Sequence, residues 1–282
     1  PIHGKEKGSH TSDVQSKTYC HAKDIHEIGR TVMEDRIKVK SLYKALKILE
    51  CFTEKTPELG ITEISEMLGL YKSNVFNILS TFEEAGYIIK NNENNKYRPG
   101  NKILELAYVI TSGMDFRKVA MPYLQEISKA ANEIVYLGIP DKNEVLYLDM
   151  VYPKNTVPTK TILGEKAPLY STAIGKAIMA HLPEDRITEI VSEGLRKITS
   201  NTITDKDKLM EELKITASRG YAVDNMENEY GIKCVGKAIF DRKGQVIAGV
   251  SISGPSLRFN DENIKYFADL LDKNVKLIME KL

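Results

Sequence analysis

Apolar positions in residues 61–87 recur at helical spacing in two short runs. In the first, Ile61, Ile64 and Leu68 share a face, and Gly69 stands where the helix stops and the chain turns. In the second, Val75, Ile78, Leu79 and Phe82 follow the i, i+3, i+4, i+7 rule, and Gly86 closes the run. The opposite face of the second run carries Lys72, Ser73, Asn74, Asn77, Ser80 and Thr81. Polar side chains that donate and accept hydrogen bonds suit base edges in a DNA major groove. They suit the solvated face of a plain helical hairpin as well.

The neighbouring pattern decides between these. Residues 37–52 read as a helix through Leu42, Ala45, Leu46 and Leu49, with Phe52 continuing the stripe. Residues 53–60 contain Pro57 and Gly60 and read as a loop. Residues 87–90 and 96–98 are strand-like runs about the Asn-rich stretch 91–95, and Asn tolerates the left-handed backbone of a hairpin turn. Three helices and a hairpin in this order predict a winged helix-turn-helix over residues 37–100. Its hairpin carries Lys90, Lys96 and Arg98, cations placed to meet phosphates and set register without reading sequence. The expected DNA-binding residues are Lys72, Ser73, Asn74, Asn77, Lys96 and Arg98.

Residues 101–113 predict a linker helix. Its stripe of Ile103, Leu106, Ala107 and Ile110 calls for cover from its own domain or from a second subunit. From residue 114 the pattern turns to mixed helix and strand. Helices are expected over 116–131, 173–181, 184–193, 206–219 and 261–282. Strands are expected over 134–139, 144–151, 160–163, 221–224, 234–240 and 246–253. The interleaving, with an antiparallel pair near the end, predicts an α+β second domain over 114–282.

Composition narrows the class. The 282 residues are enough for one large or two ordinary domains, and at 42% hydrophobic and 28% charged they have a soluble globular composition. No apolar run reaches membrane length, and residues 1–30 lack the apolar core of a signal peptide. Three widely spaced cysteines make no disulfide framework, so a reducing cytoplasm is the expected compartment. The net charge is +1, and residues 37–100 hold nine Lys/Arg against eight Asp/Glu. DNA binding must therefore come from local placement of cations, not from a bulk basic field. Residues 1–36 show no periodicity and read as a flexible tail. Its Cys20, His21 and His26 match no closed metal site, so neither a metal nor a cofactor is expected.

An enzyme is not expected either. Outside the tail the only histidine is His181, which leaves a nucleophile without a base. Gly175 and Lys176 do not make a phosphate loop, because Tyr170 and Ala177 stand where Gly and Ser/Thr are required. A ligand pocket finds more support. The run 168–176 places hydroxyls and backbone N–H groups at a helix start, which seats an anion or is simply an ordinary cap. In residues 248–253, Ala248, Val250 and Ile252 alternate with Gly249, Ser251 and Ser253, whose face is a pocket floor or a solvent face. Asp224 ends one strand and Cys234 begins another; a lone cysteine is most often a small buried apolar residue.

The stretches GITEISEMLGLYKSNVFNILSTFEEAGYI, YRPGNKILELA, PLYSTAIGKAIMA, GYAVDNMENEYGIKCVGKAIFD and GQVIAGVSISGPSLRF follow one another over residues 37–282. Together they resemble the IclR family of bacterial transcriptional regulators. The resemblance implies a GAF-like effector-binding domain behind an N-terminal winged helix-turn-helix. It also implies a homodimer or homotetramer on double-stranded operator DNA, controlled by a small anionic metabolite, a carboxylate. It implies an effector site of Thr172, Ala173, Asp224, Cys234, Ser251 and Ser253. There are departures. The family usually has Pro-Lys-Ser-Thr and then an Arg in the recognition helix; here stand Tyr71, Lys72, Ser73 and Asn74, with Asn77 in the place of that Arg. Asn pairs with adenine, whereas Arg favours guanine. Met226 stands where an acidic residue is common, and Lys237 where Ala is usual. Two alternatives stay open: an enzyme on the second domain using Cys234 and Asp224, and a winged helix that binds a protein partner.

Overall fold

A computed structural model describes residues 37–154, 162 and 164–282. The tail expected over 1–36, and all but Ile162 of the strand expected over 160–163, lie outside the described residues. The chain divides into two compact units between Ile110 and Thr111.

The first unit holds α1 (Lys40–Leu49), α2 (Ile61–Leu68), α3 (Lys72–Glu84) and a hairpin of β1 (Ile88–Lys90) and β2 (Tyr97–Pro99). Its core gathers Ile48, Leu59, Ile64, Val75, Leu79, Ile88 and Tyr97. Gly69 ends α2 at φ +64°, a conformation that a Cβ would strain. Asn95, at φ +57°, supplies the left-handed residue of the hairpin turn. Two features differ from the sequence expectation. Leu42 and Leu46 are 57% and 47% exposed, because only the last turn of α1, through Ile48, reaches the core. The loop before α2 pairs with the hairpin: Leu59 and Tyr97 exchange backbone hydrogen bonds of 2.9 and 2.8 Å. Local pattern does not reveal a single-residue bridge of this kind.

Helix α4 (Lys102–Ser112) runs across the division, and none of its residues is buried. The second unit contains α5 (Asp115–Ala131), β3 (Ile134–Asp141), β4 (Glu144–Val151), β5 (Lys166–Pro168), α6 (Ala173–Met179), α7 (Glu184–Ser192), α8 (Lys206–Arg219), β6 (Ala222–Asn225), β7 (Ile232–Phe240), β8 (Val246–Pro255) and α9 (Asp261–Met279). The strands form one antiparallel sheet in the order β5-β4-β3-β8-β7-β6. Strand β5 was not expected, since three residues ending in proline carry no alternation to read.

Helices α5 and α9 cover one face of the sheet. Leu124, Ile127, Leu271 and Val275 pack there against Val135, Val235, Ala248, Val250 and Ile252. The alternation of β8 thus sends its branched side chains to this core. Its Gly/Ser side faces α6, so the floor of a pocket is formed and not a solvent face. Helix α6 lies directly on β7 and β8: a Cβ on Gly236 would stand 2.5 Å from the Ala173 carbonyl carbon, and one on Gly249 2.8 Å from Ile174 Cγ2. All seven residues of α6 are buried.

Candidate functional site

In the first unit, burial of Val75 and Leu79 turns Lys72, Ser73, Asn74 and Asn77 outward along α3. No side chain caps this helix. The residue before it, Tyr71, is 82% exposed and offers only its carbonyl, which accepts from the amides of Asn74 (2.9 Å) and Val75 (3.1 Å). The first amides of α3 are therefore open at the positive end of the helix. The wing cations differ in commitment. Lys96 Nζ donates to Glu63 Oε1 at 2.9 Å, while Glu63 Oε2 accepts the Gly60 amide at 2.6 Å. The Gly60 N–H and then Lys96 hold the Glu63 carboxyl below its usual range. Lys90 Nζ lies 5.9 Å from the centre of the Tyr97 ring. Arg98 is exposed and makes no ion pair among the described residues. An exposed pair such as Lys96–Glu63 is worth roughly 0–1 kcal/mol, so a phosphate can displace it.

In the second unit the face of the sheet opposite α5 and α9 forms the wall of a cavity of about 860 Å³. Strand register builds that wall. Asp224, Cys234 and Ser253 stand in one row across β6, β7 and β8; Gly236, Ser251 and Tyr136 stand in another. Thr172 and Ala173 close it from the start of α6, so all six residues of the expected effector site line one cavity. Their chemistry is not uniform. The Thr172 hydroxyl is committed: it accepts the Gly175 amide at 3.0 Å and donates to the Pro168 carbonyl at 3.1 Å, as a helix cap. Cys234 Sγ donates to Ser253 Oγ at 3.1 Å, and Asp224 Oδ1 accepts the Glu227 amide at 2.7 Å. Burial pushes the Asp224 carboxyl up to about 7; the Glu227 N–H opposes this, and the Glu227 carboxylate adds to it. Burial, with the nearby Asp224 charge, keeps the Cys234 thiol well above its ordinary value.

Sequence reasoning missed several residues of this region. Tyr136 and Tyr147 line the cavity with ring centres 5.6 Å apart, and burial pushes both phenols up. Lys176, the only charged residue of the run AIGKAIM, is 1% exposed. Its Nζ donates to the Val223 carbonyl at 2.6 Å and to Glu227 Oε1 at 2.5 Å, with Glu212 Oε1 at 3.7 Å. Glu227 Oε2 is buried without a hydrogen-bond partner. The Thr202 hydroxyl donates to the Glu227 carbonyl and the Thr199 hydroxyl to the Met226 carbonyl, each at 2.7 Å, which fixes the turn that aims the Glu227 amide at Asp224. A lysine inside an otherwise apolar helix was the available signal, because such a charge must find a partner. His181 packs edge-on to Phe240 at 4.8 Å and does not line the cavity. Among the described residues no three side chains are grouped as metal ligands, and no helix is long and apolar enough to cross a membrane.

Two family models match in order. The IclR helix-turn-helix domain matches residues 41–91, and the C-terminal domain of the bacterial transcriptional regulator IclR matches residues 108–279. The chain is 34% identical over 237 residues to the HTH-type transcriptional regulator XynR of Escherichia coli strain K12, covering 83% of this chain and 94% of that protein. It is 33% identical over 246 residues to KdgR of the same organism, covering 86% and 93%. The crystal structure of the Thermotoga maritima IclR shares 37% identity at a TM-score of 0.69, covering 86% of this chain and 98% of that one. With both halves matched in order and over nearly the full length of these relatives, the chain belongs to the IclR family and is a DNA-binding transcriptional regulator.

Proposed function

We propose that α3 enters the major groove of double-stranded operator DNA with Lys72, Ser73, Asn74 and Asn77 on the base edges, while Arg98 and a released Lys96 meet phosphates from the wing. The second unit binds a small anionic metabolite, a carboxylate, and its occupancy changes operator affinity through a coupling of roughly 1–3 kcal/mol. The observation that carries this reading is the convergence of Thr172, Ala173, Asp224, Cys234, Ser251 and Ser253, distant in sequence, on one cavity. Ser251, Ser253, Tyr136 and Tyr147 offer hydroxyls there, and Arg196 stands on the exposed side of the lining.

The cavity is a binding site and not a catalytic one, and it needs neither metal nor cofactor. The Cys234 thiol, held protonated by burial, is a poor nucleophile, and no histidine among the described residues lines the cavity. The regulator works in the cytoplasm as a homodimer or homotetramer. The exposed apolar residues of α4, Leu104, Leu106 and Ile110, are covered in that assembly. A thermal-shift screen of small carboxylates on the full chain, followed by duplex binding at rising salt, tests both halves. A specific carboxylate raises the melting temperature by mass action. Duplex affinity falls steeply with salt. Stabilisation by neutral compounds alone refutes the anionic effector, and salt-independent association refutes the DNA interface.

A further inference from the structure

The proposed effector poses a charge problem. Asp224 is 3% exposed and stands in the wall of a cavity assigned to an anion. Two carboxylates that share a buried site do not both stay ionised. Relief must come from a cation or from a proton. Among the described residues, Lys176 is held by Glu227 and the Val223 carbonyl and Arg258 by the buried Glu133, while the Lys166–Asp141 pair is exposed and screened by solvent. Arg196 stands on an exposed stretch, where solvent screens it.

We propose that the cavity binds its anionic effector together with one proton, carried on the Asp224 carboxyl, which then donates a hydrogen bond to the ligand. This rests on the effector reading above. The proton comes from solvent, and the complex holds one charge fewer than ligand and site kept apart. The geometry leaves room for it. Asp224 Oδ1 accepts the Glu227 amide at 2.7 Å, and the Asn228 N–H and the Cys234 thiol also lie against the carboxyl, so the group that carries the proton is held in place at the cavity wall. The groups facing Asp224 are Lys176 from α6, Glu227 and Asn228 from the turn after β6, Cys234 from β7 and Tyr147 from β4. Lys176 is the only cation among them, and Glu227 neutralises it at 2.5 Å, with Glu212 of α8 behind at 3.7 Å. The low-dielectric wall already holds the Asp224 carboxyl up to about 7, so at neutral pH the proton is shared almost evenly with solvent. A second anion draws it on fully.

Two measurements on the full chain test the proposal. The first is a carboxyl-carbon NMR titration of aspartate-labelled protein, with the Asp224 signal assigned from Asp224→Asn. A midpoint near 7 is expected, and a midpoint below 5 overturns the proposal. The second is calorimetry with the tightest binder among acetate, pyruvate, gluconate and benzoate, in phosphate and in Tris. Close to one proton per ligand is taken up at pH 8 and almost none at pH 6. Because only the protonated fraction is competent, affinity falls about tenfold between those values. Asp224→Asn removes both the uptake and the pH dependence. Carboxylate binding without proton uptake overturns the proposal and leaves the effector reading standing. If none of the four carboxylates binds, the effector reading fails, and the proposal fails with it.

Discussion

Replacing Lys176 by methionine isolates the buried ion pair behind the cavity. Methionine keeps an unbranched apolar stem nearly as long as that of lysine, but it removes the charge. Glu227 Oε1 then loses its 2.5 Å partner and keeps only the Asn225 amide at 3.3 Å, while Oε2 already has none. Removing one member of a buried pair leaves an uncompensated charge and costs about 3–5 kcal/mol. At about 2–4 °C per kcal/mol for a unit of this size, the melting temperature falls by roughly 6–20 °C. The pH dependence follows from the same carboxyl. Burial holds Glu227 above its ordinary range and Lys176 opposes that, so the variant raises it further. A group raised in the folded state contributes stability below its unfolded value and loses it as pH climbs through the folded value. The deficit of the variant is therefore small near pH 4 and grows toward pH 8. Urea unfolding of wild type and variant at several pH values measures this. The double variant Lys176→Met with Glu227→Leu recovers most of the loss, since an apolar replacement of a buried pair is often neutral. A single-variant loss below about 1 kcal/mol, or a double variant worse than the single, refutes the reasoning.

Asn77→Ala relaxes base preference at one operator position, with discrimination there falling by about 1–3 kcal/mol, whereas Arg98→Ala weakens all duplexes alike and lowers the salt slope by about one. Competition binding on a set of single-base operator variants separates the two; equal loss on every sequence for Asn77→Ala removes it from direct readout. Ser253→Ala abolishes the shift of operator affinity by the effector and leaves affinity without it unchanged. An unaltered effector titration takes Ser253 out of the site. Gly236→Ala forces α6 off the sheet, because its Cβ would meet backbone at 2.5 Å, and destabilises the protein by about 1–3 kcal/mol or more. A wild-type urea midpoint for that variant would mean that α6 is not seated as described.

Much of this protein is written in local pattern. The 3.6-residue spacing of Val75 and Leu79 placed α3 and its outward face, and turn chemistry at Gly69 and Asn95 placed its neighbours. The alternation in β8 separated a core side from a Gly/Ser side, because successive side chains of a strand must point to opposite faces. Composition and the ordered motifs pointed to the family. Local pattern does not contain what depends on register and packing between distant segments. The row Asp224–Cys234–Ser253 exists only once three strands are aligned. The same holds for Tyr136 and Tyr147, which the pairing of β3 with β4 brings to the cavity. The pairing of Lys96 with Glu63, and of Lys176 with Glu227, joins residues far apart in sequence. Whether a lysine meets phosphate or an internal carboxylate is decided by which charge the fold brings within about 3 Å, since Coulomb attraction depends on distance and burial and not on order along the chain.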